Sequence, residues 1–180
     1  DIDHRQVAVM LQMMDRQLNS PLTSSLGRLF DAVAAIIGLR SQAAFEGQAA
    51  MELEMIADAA ESGTYDFTWD GDGVLELSTA PIIRAVVQDL ERGVSPALIS
   101  ARFHNTLVAL FDGVCRHLRG ATGIDRVALS GGVFQNSRLL TGLSNALVES
   151  GFDLITHRLV PTNDGGLSLG QAVVAAAQAD

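Results

Sequence analysis

The feature that most restricts the fold is a strand–helix–strand–helix run near the carboxyl end, with a glycine pair after each strand. Asp125–Ser130 (DRVALS) reads as a short strand, Gly131-Gly132 as a tight turn, and residues 136–150 as a helix ending at Gly151. Phe152–Leu159 (FDLITHRL) is a second strand, Val160–Gly166 a loop, and residues 167–178 an Ala-rich last helix. Strands joined by a crossover helix run parallel, because the helix carries the chain back to the same end of the sheet. The chain is therefore α/β. Ligands in open parallel sheets lie at the carboxyl ends of the strands, so both glycine pairs should face one crevice.

The preceding part is helical in pattern. Val7, Met10, Leu11, Met14 and Leu18 share one face of a helix over residues 5–18, which Asn19-Ser20-Pro21 breaks. Thr23, Ser24 and Ser25 offer N-cap oxygens to a second helix, LGRLFDAVAAIIGL, apolar on most faces and expected to be deeply buried. A third helix spans residues 46–62, with Gly63 as its C-cap. Tyr65–Trp69 and Val74–Leu77 alternate around Asp70-Gly71-Asp72-Gly73, which predicts a hairpin. A calcium loop would need a longer acidic pattern ending in Glu. Helical spacing resumes at 80–92 and 96–118, with Ser95 as N-cap and Pro96 at the first helical position.

Composition narrows the function. The chain has 180 residues, 48% hydrophobic and 18% charged, enough apolar matter for a packed core. Aromatics are 5%, so that core is built from aliphatic residues. The net charge is −9, and all 12 basic residues are Arg. An acidic chain without a basic cluster is a poor binder of nucleic acid, whose affinity comes from phosphate neutralisation. Without Lys there is no Walker-A lysine, kinase strand lysine or Schiff base. Any phosphate must be held by backbone N–H groups, Arg or a metal ion. A single cysteine, Cys115, excludes an internal disulfide and is expected in the core. The composition fits a reducing cytoplasm. No apolar run approaches the ~18 residues of a membrane span, so no membrane partner is expected. The first residue is Asp, and the chain is expected to be part of a longer protein.

Four segments could carry chemistry. Ser130–Asn136 (SGGVFQN) joins a strand to a helix. Its glycines allow close backbone approach to a ligand, and the helix N-terminus favours an anion. A nucleotide site and a plain structural turn both fit. Pro161–Gly166 (PTNDGG) puts Asp164 in the same crevice, as a hard cation ligand or as part of an ordinary helix start. Gly27 and Asp31 share a helical face, and Asp31 needs a partner on so apolar a helix: a ribose, Arg28 or a backbone donor. Phe45–Glu54 (FEGQAAMELE), with Glu46 and Gln48, alone is only a helix start. His4, His104, His117 and His157 form no metal-type pair and read as structural or solvent-facing. No GxSxG element supports a hydrolase.

Together, Pro21–Leu39, Phe45–Glu54, Leu129–Leu140 (LSGGVFQNSRLL) and Val160–Ala172 (VPTNDGGLSLGQA) resemble, in order, the carboxyl-terminal part of the hydrogenase-maturation carbamoyltransferases, the HypF family. The resemblance implies an actin/Hsp70/sugar-kinase type domain with two RNase-H-like lobes and nucleotide between them. It implies carbamoyl transfer from carbamoyl adenylate, made upstream from carbamoyl phosphate and ATP, to the carboxyl-terminal cysteine of the partner HypE. By resemblance, Ser24, Gly27, Asp31, Glu46, Gly131, Gly132 and Asn136 contact the nucleotide. Asp164 matches the metal-binding Asp of the last loop, the metal being Mg, Zn or Fe. Arg28 stands where the tRNA-modifying relatives usually carry Glu, which favours the hydrogenase branch.

Two departures define the chain's extent. The family's HxxxH metal pair and its acylphosphatase-like, zinc-finger and adenylate-forming domains are absent from these residues. The chain is therefore expected to be the back lobe, with inserted helices and a hairpin over about 40–120 and the nucleotide-binding core over about 121–180. It should bind nucleotide weakly and transfer poorly alone. The competing readings are another carbamoyl- or threonylcarbamoyl-transferase of this superfamily, and a non-catalytic, nucleotide-gated interaction domain.

Overall fold

The computed structural model describes residues 3–71 and 74–179. Asp72 and Gly73 of the expected hairpin turn lie outside the described residues. The chain forms seven α-helices and four short strands within them, with the strands in two separate pairs.

Helix α1 (His4–Asp15) is capped by Asp3, whose carboxylate accepts the Arg5 N–H at 2.9 Å. Its apolar stripe is real but uncovered: Val9, Met10, Leu11 and Met14 are each more than half exposed. Helix α2 (Leu26–Ile36) starts at Ser25, whose hydroxyl accepts from the Arg28 N–H. It buries Phe30, Val33 and Ala34, whereas Ala32 and Ala35 on the opposite side are exposed. The expected all-round burial is thus reduced to one face.

Helix α3 (Gln48–Ile56) begins after Gly47, which has φ +78°, and stops at Ala57, well short of Gly63. Local side-chain bonds compete with helix beyond that point. Asp58 accepts the Ala60 N–H at 2.7 Å, Glu61 accepts the Gly63 N–H at 2.6 Å, and the Asp58 N–H bonds the Ala97 carbonyl. Strands β1 (Thr68–Asp70) and β2 (Glu76–Ser78) pair antiparallel with Trp69 opposite Leu77. Tyr65 stays outside this ladder. It is buried, and its hydroxyl donates to Asp89 at 3.0 Å.

Helices α4 (Ala80–Glu91) and α5 (Pro96–Thr122) follow. The 27-residue α5 is capped by Ser95 with Pro96 at its first position, as its sequence predicts, and ends at Gly123 in the left-handed region. The final part is β3 (Arg126–Leu129), α6 (Ser137–Glu149), β4 (Asp153–Thr156) and α7 (Leu167–Ala179). Strands β3 and β4 are parallel, with Leu129 opposite Thr156. The expected alternation of strand and helix is what the chain adopts.

Two apolar clusters hold these elements. The larger joins Phe30, Val33, Leu53, Ile82, Val86, Ile99, Phe103 and Leu107 from α2 to α5, and includes Leu139 of α6. The smaller joins Leu129, Leu143, Leu147 and Phe152. Val108 and Phe111 of α5 touch both, so α5 fastens the sheet to the helices. Each fully buried Leu or Phe contributes about 1.5–3 kcal/mol. Close approach of α5 and α6 depends on Gly142, where an added Cβ would sit 3.0 Å from Val108. Cys115 is half-buried beside the smaller cluster, and burial pushes its thiol up from the ordinary value. No helix among the described residues is long and apolar enough to cross a membrane.

Candidate functional site

The packing of α2, α3 and α6 brings their amino-terminal ends together beside the turn after β3. A cleft of ≈ 680 Å³ opens there. Helix α2 contributes Ser25, Gly27, Arg28 and Asp31, and the start of α3 contributes Glu46, Gly47, Ala50 and Glu54. The turn after β3 adds Gly132, Val133, Gln135 and Asn136, and the loop after β4 adds Asn163 and Asp164.

The two glycine loops meet as the parallel sheet predicts. The Gly131 N–H donates to the Thr162 carbonyl at 2.9 Å, and His157 Nε2 lies 2.9 Å from the Ser130 hydroxyl. Gly131 sits at φ +114° and ψ 155°, a region open almost only to glycine. An added Cβ at Gly166 would lie 2.9 Å from the Pro161 carbonyl oxygen, so that loop also needs its glycine. Gly27 and Gly132 differ. A Cβ there would meet nothing nearer than 3.6 and 3.8 Å, respectively. The fold leaves room at both positions, and both border the cleft.

Donors and acceptors both line the cleft. In the turn, the Phe134 N–H bonds Gly131 and the Asn136 N–H bonds Val133. The N–H groups of Gly132 and Val133 have no partner among the described residues. Asn136 is buried and caps α6: its Oδ1 accepts the Leu139 N–H at 2.8 Å. Its Nδ2 meets His104 Nε2 at 2.9 Å. The lining also carries the carboxylates of Asp31, Glu46, Glu54 and Asp164. Asp31 finds its partner in Arg28, 3.1 Å away, and stays partly exposed. Glu54 reaches across to accept the Arg138 N–H at 3.0 Å, so a carboxylate already occupies the first turn of α6. At the α6 terminus the Arg138 and Leu139 N–H groups are already bonded, whereas the Gly132 and Val133 N–H groups of the glycine turn are open among the described residues.

This architecture has counterparts. The family described as "Carbamoyltransferase, Kae1-like Domain, second subdomain" matches residues 2–171. The chain belongs to the HypF carbamoyltransferase family. It is 41% identical over 93% of its length to the carbamoyltransferase HypF of Rhodobacter capsulatus, and 41% identical over 96% to that of Rhizobium leguminosarum bv. viciae. It spans 21% and 22% of those proteins. A crystal structure of full-length HypF, in a phosphate- and nucleotide-bound form, superposes with a TM-score of 0.93 at 43% identity. That match covers 97% of this chain and 23% of the other. The fold is thus the α/β Kae1-like type, in line with the actin/Hsp70/sugar-kinase expectation.

Against the family reading, the cleft gathers Gly27, Asp31, Glu46, Gly132, Asn136 and Asp164. Two expected residues lie off its lining. Ser24 is exposed beyond the end of α2, and Ser25, the cap, lines the cleft instead. Gly131 shapes the turn and spends its N–H on Thr162. Gln48 serves the scaffold: it accepts the Ala44 N–H and donates to Glu52, which Arg40 grips at 2.8 and 2.6 Å. The Arg40 guanidinium holds the Glu52 carboxyl below its usual range. Glu54, Val133 and Gln135 border the cleft without having been singled out, although each stands inside a quoted segment.

A metal ion fits this chain only in part. Asp164 is exposed at the cleft, and its side chain makes no bond among the described residues. Among the described residues, no three His, Cys, Asp or Glu side chains are grouped to hold a metal.

Proposed function

We propose that this chain is the nucleotide-binding half of a carbamoyl transfer site. The donor is carbamoyl adenylate, made elsewhere in the longer protein from carbamoyl phosphate and ATP. The acceptor is the carboxyl-terminal cysteine of HypE, in a cytoplasmic route to the cyanide ligands of [NiFe] hydrogenase. The observation that carries this reading is the single cleft into which Gly27, Asp31, Glu46, Gly132, Asn136 and Asp164 converge from four separate segments.

Each wall has a task. The Gly132 and Val133 N–H groups and the Asn136 amide hold the phosphate of the adenylate. Asp31 and Glu46 accept from ribose hydroxyls, with Arg28 steadying Asp31. Gly27 keeps α2 clear so that the nucleoside lies against its backbone. The partner thiolate attacks the carbamoyl carbon, the C–S bond forms, the C–O bond to phosphate breaks, and AMP leaves. Charge gathers on the phosphate oxygens as that bond breaks. Fixed N–H donors there lower the barrier without reorganising. Asp164 supplies one ligand of a divalent cation, and the remaining ligands come from outside these 180 residues.

The test uses the longer family protein that carries this chain. Gly132→Val fills the turn at the phosphate position. Carbamoyl phosphate-dependent release of pyrophosphate from ATP should persist, while carbamoylation of the HypE cysteine should be lost. Undiminished carbamoylation would remove the glycine turn from the reaction.

A further inference from the structure

His104 lies on α5, outside every segment singled out for chemistry, and is fully buried between Phe30 and Phe103. Its ring nitrogens are both engaged. Nδ1 is 2.8 Å from the Ser100 carbonyl oxygen, and Nε2 is 2.9 Å from Asn136 Nδ2. The chemistry of the partners leaves one arrangement. A carbonyl can only accept, so Nδ1 carries the proton and donates to Ser100. Nε2 is then bare, and accepts from the Asn136 amide. The Leu139 N–H needs an acceptor, which fixes Asn136 Oδ1 on the other side.

We propose that His104 is a positioning residue that holds Asn136 in the cleft as a hydrogen-bond donor. Oδ1 is committed to the α6 cap, and one Nδ2 hydrogen is committed to His104. What Asn136 offers a ligand is the second Nδ2 hydrogen. The atom it meets must therefore be an acceptor, such as a phosphate oxygen. The neighbouring free N–H groups of Gly132 and Val133 make the same demand. This inference rests on the nucleotide reading above and adds a direction to it. Burial, with the Arg138 guanidinium adding to it, pushes the imidazole down to about 4, so the bare Nε2 persists at neutral pH. A proton on Nε2 would face the amide N–H₂ and break the arrangement.

Two measurements test it. The ¹⁵N NMR spectrum of the imidazole, recorded on the 180-residue chain at pH 7 without nucleotide, should show Nδ1 protonated and Nε2 bare. The opposite tautomer would overturn the proposal. Calorimetric titration with ATP and with adenosine then compares His104→Gln, which keeps an acceptor, with His104→Leu, which keeps bulk alone. His104→Leu should lower ATP affinity about tenfold and leave adenosine affinity unchanged, the loss of one hydrogen bond to phosphate. His104→Gln should stay near wild type for both. Equal ATP affinity in the Leu variant, or equal losses for ATP and adenosine, would reduce His104 to a packing residue. If the unmodified chain binds neither ligand, the other half of the site is required, and the same two variants are compared in the longer family protein. Equal ATP affinity there would again reduce His104 to a packing residue. The tautomer decides independently whether His104 orients Asn136.

Discussion

Asn136 Nδ2 lies 2.9 Å from His104 Nε2, a contact between residues 32 apart in sequence. It ties the start of α6 to the middle of α5. Asn136→Asp keeps the helix cap, since Asp caps as well as Asn. It also replaces the amide donor with a carboxylate facing Nε2. Imidazolium becomes the better partner, so the His104 pKa should rise from about 4 past its ordinary value near 6.5. An NMR titration of the ring protons reads this directly, and an unmoved titration would contradict the contact.

The paired glycines should respond in opposite ways. Gly131→Ala forces a side chain into φ +114°, at a cost of about 1–3 kcal/mol. Gly132→Ala adds a Cβ whose nearest neighbour is 3.8 Å away, so stability should hold to about 0.5 kcal/mol. Denaturant midpoints of the two variants compare them. Equal losses would show that the turn is not built as described.

Much of this was legible before the fold was known, for identifiable reasons. Ser95-Pro96 and Gly131-Gly132 are local signals, and local backbone chemistry set both the start of α5 and the turn after β3. The α3 boundary was not legible, because Asp58 and Glu61 divert the chain through bonds that helical periodicity does not register. Asn136 was visible as a polar residue at a strand–helix junction. Its partner was not, because the contact exists only once α5 and α6 pack around Gly142 and Val108. Glu54 escaped for the same reason: its target, the Arg138 N–H, is 84 residues away.

Stability should fall with acid in a window set by His104. Its folded pKa, about 4, lies below the unfolded value near 6.5, so the unfolded chain binds more protons between them. The stabilisation is complete above pH 6.5 and is lost as pH falls toward 4, by a total on the order of 3 kcal/mol. Urea melts between pH 7 and 4 should show a steeper decline for the wild type than for His104→Gln. Parallel declines would place the titrating group elsewhere.

Glu54→Ala removes the carboxylate that accepts the Arg138 N–H and leaves an orphan donor in the first turn of α6. The expected loss is about 0.5–2 kcal/mol in chemical denaturation. The same change removes a negative charge from the cleft, so ATP should bind more tightly at low salt. Weaker ATP binding would mean that Glu54 contacts the ligand instead of the helix end.

Asp89 needs Arg102. The guanidinium bonds Asp89 at 2.8 Å and Glu61 at 3.0 Å, while Tyr65 donates to the same Asp89 carboxylate. Desolvation, with the Asp89 carboxylate beside it, pushes the Tyr65 hydroxyl well above its ordinary value. Arg102→Met would leave the buried Asp89 carboxylate with only the Tyr65 hydroxyl and the Arg92 guanidinium 3.9 Å away, at about 1–3 kcal/mol. Adding Asp89→Asn should recover part of that loss. No recovery in the double variant would show that the network is not held by this pair.

The central claim is that nucleotide binds between α2 and the glycine turn. Amide chemical-shift mapping of ATP on the ¹⁵N-labelled chain tests it most directly. Saturable shifts at Gly27, Asp31, Gly132 and Val133, with Arg40 and its Glu52 partner unmoved, are the predicted result. Shifts centred on Arg40, or none at the Gly132–Val133 amides when ATP saturates, would contradict the account.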